Sequence, residues 1–376
     1  MVCVTGFAQS APRARALGVP FDGTPGPLDA ITDVKGVEVG DTTLIHGEGK
    51  LVVGQGPVRT GVTVIFPRGR ADADPVYAGW FSQNGNGEMT GTTWVEESGF
   101  LEGPLAITNT HSVGLVRDSI IAWSVQSGRL AQQPWSLPVV AETWDGYLND
   151  INGFHVHQAD VFSALDTAKG GSVPEGNVGG GTGMVCYGFK GGDGTASRVL
   201  SADAGGYTVG VLVQCNCGRR PQLTIAGVPI GKLIPAAPSQ ATWEPEVRGD
   251  VGSIIIVVAT DAPLLPGQLK RLARRATMGL ARTGSSSGNS SGDIFIAFST
   301  ANRGAGKEPG PNSVLTVSNE RISPLFQATV EATEEAIVNA MVGAQTMTGV
   351  DGHTIDALPH DKLTEFMKRS PQATLK

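Results

Sequence analysis

Short apolar runs separated by glycine turns occupy residues 31–67, at 36–40, 51–53 and 62–66, the pattern of several short strands. Residues 207–214 and Ser253–Thr260 read as further strands. The second carries five consecutive β-branched side chains from Ile254 to Val258, the composition of a strand buried on both faces. Residues 293–299 and 314–318 also read as strands. Helical periodicity occurs at 117–126, with Ile120, Ile121, Trp123 and Val125, and at 159–169, with Val161, Phe162 and Leu165 on one side. Pro266 opens a helix to about Arg282, placing Leu269, Leu272, Ala276 and Leu280 on its apolar side. Ser323 and Pro324 read as the N-cap and first residue of a long helix to about Met341. A short helix over 361–368 follows. Strands and helices come in runs, with no repeat and no linker, which predicts one α+β domain of stacked layers across residues 1–376.

Charge narrows the function. The chain has 28 basic and 35 acidic side chains and a net charge of −7, which argues against a nucleic-acid groove. No apolar run approaches the roughly 20 residues of a membrane span. The first 15 residues lack the basic and apolar segments of a secretory signal, and the expectation is a cytoplasmic protein, or a periplasmic one if an upstream signal was removed. Cys3, Cys186, Cys215 and Cys217 make neither a disulfide framework nor a zinc ligand set, so no metal and no cofactor is expected. Glycine is the anomaly, at 52 of 376 residues, near twice the usual share.

Candidate chemistry is weak motif by motif. Gly176 to Gly183 resembles a dinucleotide loop in composition but lacks the preceding strand and following helix. A tight turn with close backbone packing, or amides facing an anion, are its other readings. His155 and His157 share a face on a strand, with Asp160 nearby, but have no third clear ligand. Asn216 suits either a turn or an oxyanion-hole donor. Glu142, just past the apolar residues 137–141, suits either a solvated turn or an amine-binding site, and Tyr147 follows it. The sharpest pair is Gly252–Ser253, at the start of the most apolar strand. Attack of a serine hydroxyl on the preceding carbonyl turns the peptide into an ester, and water then frees the serine amine. Such an amine titrates near 7.7–8.0 and can act as a general base without histidine. Glycine at 252 removes a Cβ that would resist a strained turn there.

Several segments carry a resemblance that runs nearly end to end: 11–15, 23–26, 30–34, 142–150, 175–188, 252–275 and 291–300. Through them the chain resembles the self-processing aminopeptidases that include the DmpA-type L-aminopeptidase/D-amidase-esterases and the β-peptidyl aminopeptidases. The resemblance implies a four-layer αββα sandwich, autoproteolysis into 1–252 and 253–376, and a tetramer of processed protomers. It implies that Ser253 is the nucleophile, Asn216 the oxyanion-hole donor and Tyr147 an active-site tyrosine. Glu142 would hold the substrate's amine, with Ser291 and Asp293 as a supporting Ser-x-acid pair. Where relatives carry Glu in that pair, Asp293 is one methylene shorter. The substrate would be a short peptide, or an aminoacyl amide or ester. An ornithine acetyltransferase would share the architecture but use Thr, against which Ser253 argues. A non-catalytic amine- or peptide-binding protein is the third reading.

Overall fold

In Ser253–Thr260 alternate residues enter different cores: Ile254, Ile256 and Val258 one, and Ile255, Val257 and Ala259 another. A strand apolar on both faces needs a covering layer on each side, and the chain supplies both. The structure is a computed structural model describing residues 12–130, 135–235, 252–306 and 313–369. In chain order its strands are β1 (Glu38–His46), β2 (Val58–Phe66), β3 (Val76–Gly85), β4 (Phe100–Leu101), β5 (Leu105–Asn109), β6 (Val139–Thr143), β7 (Val185–Cys186), β8 (Phe189–Lys190), β9 (Gly192–Val199), β10 (Thr208–Asn216), β11 (Ser253–Thr260), β12 (Gly292–Ser299), β13 (Met347–Thr348) and β14 (Thr354–Ile355). Its helices are α1 (Thr92–Ser98), α2 (Val113–Gln126), α3 (Gln158–Thr167), α4 (Ile230–Leu233), α5 (Pro266–Arg282), α6 (Ser323–Val342) and α7 (His360–Arg369).

One sheet has the order β1-β2-β5-β6 and the other β4-β3-β12-β11-β10-β9. Val62, Val64, Phe66 and Ala106 of the first pack outward on Val116, Ile120, Val161 and Leu165 of α2 and α3. Val211, Val213, Ile256 and Phe295 of the second pack outward on Leu269, Leu272, Ile337 and Met341 of α5 and α6. Ile65, Ile107 and Ala141 meet Leu212, Ile255, Val257 and Phe298 between the sheets. The result is an α+β sandwich of four layers, αββα.

Several expectations change. Residues 51–53 form no strand: Val52 makes a single bridge to Gly56, and Val53 is 60% exposed on a loop tip. Residues 314–318 are extended but unladdered, held by Val317 N–H to the Pro263 carbonyl at 2.9 Å. Ser323 is the first helical residue of α6 and caps nothing; the preceding residue, Ile322, occupies the N-cap. Val125 points outward, 61% exposed. Glu142 lies within β6, where pairing with β5 carries the ladder through Thr143. Of the N-terminal arm, residues 1–11 lie outside the described residues. The remainder includes a short helical turn, Ala14–Leu17.

The glycine run 179–183 is a buried 3-10 turn wedged between the sheets. A Cβ on Gly180 would lie 2.1 Å from Gln214 Oε1, and one on Gly181 would lie 2.2 Å from the Asp193 nitrogen. Backbone without side chains is what fits in that gap. This turn is not followed by the helix that a dinucleotide loop requires.

Candidate active site

Three strand ends converge on Ser253. Antiparallel β10 ends at Asn216, which pairs with Ser253, and parallel β12 begins at Gly292, which pairs with it from the other side. Ser253 Oγ accepts a hydrogen bond from the Gly292 N–H at 3.1 Å, and that bond does not use the hydroxyl proton. In this continuous chain the Ser253 nitrogen is an amide. Gly252 does not have a positive φ, so turn strain does not explain it. Its glycine answers to a close approach: a Cβ there would lie 2.5 Å from the Asn216 carbonyl oxygen and 2.8 Å from Cys217 Cα.

Asn216 is held at both ends of its carboxamide. Its Oδ1 accepts from the Val185 N–H at 2.8 Å and its Nδ2 donates to the Trp144 carbonyl at 3.0 Å, leaving a second Nδ2 hydrogen for another acceptor. The glycine-rich segment therefore reaches this site through Asn216, by way of Val185. Lys190 buttresses the same segment, its fully buried ammonium donating to the carbonyls of Met184 at 2.8 Å and Gly191 at 2.9 Å. Burial pushes the Lys190 pKa down, with Asp193 and Asp145 opposing.

Ser291 donates to Asp293 Oδ1 at 2.6 Å, so the shorter acid reaches its serine. Both residues are buried and flank Gly292. Glu142 is 3% exposed. Its Oε1 accepts from the Glu88 N–H at 3.0 Å and its Oε2 from Thr110 Oγ1 at 2.5 Å. Burial raises the Glu142 pKa, and these two donors only partly offset that. Glu142, Thr110, Glu88, Trp144, Asn216, Gly252 and Ser253 line one cavity of about 350 Å³. An acid, a serine hydroxyl and a carboxamide donor thus face a common space at the ends of the two sheets.

Tyr147 does not line that cavity. It stacks on His353, with ring centroids 4.4 Å apart and planes 8° from parallel. Sequence reasoning missed Trp144, Thr110 and Glu88, whose contribution comes from contacts made across the fold. His155 and His157 do not form a ligand pair: His155 Nε2 sits 2.9 Å from Asp150 Oδ2, while His157 is exposed beside Asp160. Among the described residues the one group of His, Cys, Asp and Glu close enough for an ion is Cys186, Cys215 and Cys217, and none of these lines the cavity.

Peptidase family S58 matches residues 29–355 of the chain. A β-peptidyl aminopeptidase of Sphingosinicella microcystinivorans is 54% identical over 98% of this chain and 95% of its own. The L-aminopeptidase D-Ala-esterase/amidase of Ochrobactrum anthropi, a serine aminopeptidase with a variant Ntn hydrolase fold, superposes with a TM-score of 0.88 at 48% identity, covering 95% of this chain and 98% of that one. A Burkholderia β-aminopeptidase superposes with a TM-score of 0.86 at 48% identity, covering 96% and 99%. Among the described residues no helix is long and apolar enough to cross a membrane.

Proposed function

The chain belongs to peptidase family S58 and is a serine aminopeptidase, and we propose that Ser253 is its nucleophile, released by self-cleavage of the Gly252–Ser253 bond. In that step Ser253 Oγ attacks the Gly252 carbonyl, the C–N bond breaks as the ester forms, and water hydrolyses the ester. The products are chains 1–252 and 253–376 and a free α-amine on Ser253. Near neutral pH that amine takes the hydroxyl proton when a substrate is attacked.

Catalysis then follows from the cavity. The carboxylate of Glu142 holds the substrate's N-terminal ammonium, which fixes the first carbonyl beside Ser253 Oγ. Asn216 Nδ2 donates its remaining hydrogen to the oxyanion, pre-aimed by Val185 and Trp144. The acyl-enzyme is hydrolysed by water. Gly292 N–H and the Ser291–Asp293 pair hold the nucleophile's strand ends, while Tyr147, stacked on His353, stands outside the cavity. Amides and esters of amino acids suit the same acyl chemistry, and the working assembly is a tetramer of processed protomers. No cofactor is required.

The observation that carries this reading is that Ser253, Asn216 and Glu142 line one cavity. The 54% identity to a β-peptidyl aminopeptidase favours β-aminoacyl substrates as a second, narrower specificity. A denaturing gel and intact mass of wild type and Ser253→Ala test the first claim. Wild type is expected to give 252- and 376 − 252 = 124-residue chains. Splitting in Ser253→Ala, or its turnover of aminoacyl p-nitroanilides, overturns it. Paired α- and β-aminoacyl p-nitroanilides test the second.

A further inference from the structure

Three cysteines surround the two segments that aim Asn216. Cys215 and Cys217 flank it on the chain, and Cys186 follows Val185, whose N–H bonds its carboxamide. Cys186 and Cys215 are joined by a disulfide with their Cα atoms 5.9 Å apart. Cys217 keeps its thiol, with Sγ 3.7 Å from the Cys215 sulfur and 3.8 Å from the Cys186 sulfur. All three are buried in the helix-side core, in one apolar cluster with Val213, Phe189 and Ile254.

We propose that these residues, once the disulfide is reduced, form a three-thiol site for trivalent arsenic. With a thiolate–metal length of about 2.3 Å, taken from zinc, and the pyramidal angles of roughly 100° that the arsenic lone pair imposes, three sulfurs around one atom stand roughly 3.5 Å apart. Two of the three separations, 3.7 and 3.8 Å, already lie close to that, so only the Cys186–Cys215 edge has to open. Burial decides which class of ion fits. A soft cation held by three thiolates leaves a net charge in an apolar core, which is costly without a partner. Arsenous acid leaves none. It exchanges its three hydroxyls for three cysteine sulfurs, each thiol proton leaves as water with one hydroxyl, and nothing is oxidised or reduced. The prior reduction uses a water-soluble phosphine: disulfide, phosphine and one water give two thiols and the phosphine oxide.

The site is coupled to catalysis by position. Drawing the three sulfurs onto one atom moves Val185 relative to Asn216, and so the donor to the oxyanion. This second half rests on the role proposed for Asn216, whereas binding does not.

The test uses the processed wild-type protein, reduced with phosphine, desalted and incubated with arsenous acid, followed by native mass spectrometry. The expected product gains one arsenic and loses three hydrogens. The unreduced protein gives no adduct, Cys3→Ser gives the same adduct, and Cys217→Ala gives none that survives dilution. No adduct in reduced wild type, or an equally durable one in Cys217→Ala, overturns the proposal. Comparing reduced with unreduced wild type keeps the test valid if the variant fails to fold. In the loaded protein kcat is expected to fall on the order of 100-fold, as for loss of an oxyanion donor. A later excess of dithiol should restore it. A fully loaded protein with unchanged kcat overturns the coupling to Asn216 while leaving Ser253 as the nucleophile.

Discussion

Replacing Gly292 with alanine isolates the geometry of the cavity from its chemistry. The substitution keeps the amide that donates to Ser253 Oγ, and φ at 292 is not in the left-handed region. The new Cβ would lie 2.4 Å from the Asn86 carbonyl oxygen and 2.8 Å from Gly87 Cα. Ordinary contact begins near 3.4 Å, so the 86–87 loop must retreat by about 1 Å (3.4 − 2.4). That loop leads into Glu88, whose N–H holds Glu142 Oε1 at 3.0 Å, and the same retreat breaks the bond. A misplacement of about 1 Å costs about 100-fold in rate, or about 2.7 kcal/mol of transition-state stabilisation. Overpacking also costs about 1–3 kcal/mol of stability. Steady-state hydrolysis of an aminoacyl p-nitroanilide by the purified, processed variant measures the first. Thermal unfolding measures the second. The loss should fall on KM as well as kcat, because Glu142, proposed to hold the substrate's amine, moves. A variant within about threefold of wild type in kcat/KM, with unchanged KM, refutes the reasoning, since it would mean that the loop's position does not set the site.

Asn216→Ala is expected to lower kcat by about 100- to 1,000-fold. It should also lower stability by about 1–3 kcal/mol, because the Val185 N–H loses its acceptor, as chemical denaturation would show. Glu142→Gln should reduce kcat/KM for free-amine substrates by roughly 30-fold or more, the effect of removing one partner of a buried charge pair. It should leave little discrimination between free and N-acetylated substrates. Because burial raises the Glu142 pKa, wild-type kcat/KM should show, beneath the acid limb of the Ser253 amine, a second fall at values above the ordinary glutamate range, and only that second limb should vanish in Glu142→Gln. On stability the sign is reversed. The fold favours the protonated acid, so the acid's contribution is present below its unfolded pKa and is lost as pH rises through the folded one. Melting curves of wild type and Glu142→Gln across that window should diverge accordingly. Gly252→Ala should slow processing, read as full-length chain persisting on a denaturing gel, since its Cβ would collide with the Asn216 carbonyl.

Legibility in the sequence followed locality. Five β-branched residues in a row marked β11 to its observed bounds, and the apolar stripe after Pro266 marked α5, because each pattern needs only near neighbours to be read. The Gly252–Ser253 pair was conspicuous for the same reason. β9 was not. Its sequence, GDGTASRV, is polar, yet seven of its eight residues are buried, because its partners are remote. Thr195 Oγ1 bonds the Val211 carbonyl, Ser197 reaches Asp33, and the Arg198 guanidinium lies 2.8 Å from Glu335 on α6. Conversely, the apolar residues 51–53 had no layer to enter and stayed in a loop.

The chain alone determined its strand and helix periods, its acidic charge and the candidate nucleophile, each written in one short stretch. Tertiary structure decided which residues share the cavity. Glu142 comes from the end of one sheet, Ser253 and Asn216 from the other, and Thr110, Glu88 and Trp144 from the segments between. The glycine excess divides in the same way. At 180, 181, 252 and 292 the residue is required by backbone or side-chain atoms that approach from distant parts of the chain, within 2.1 to 2.5 Å of where a Cβ would stand. Composition counts glycines, but only the tertiary packing determines which of them can carry nothing larger.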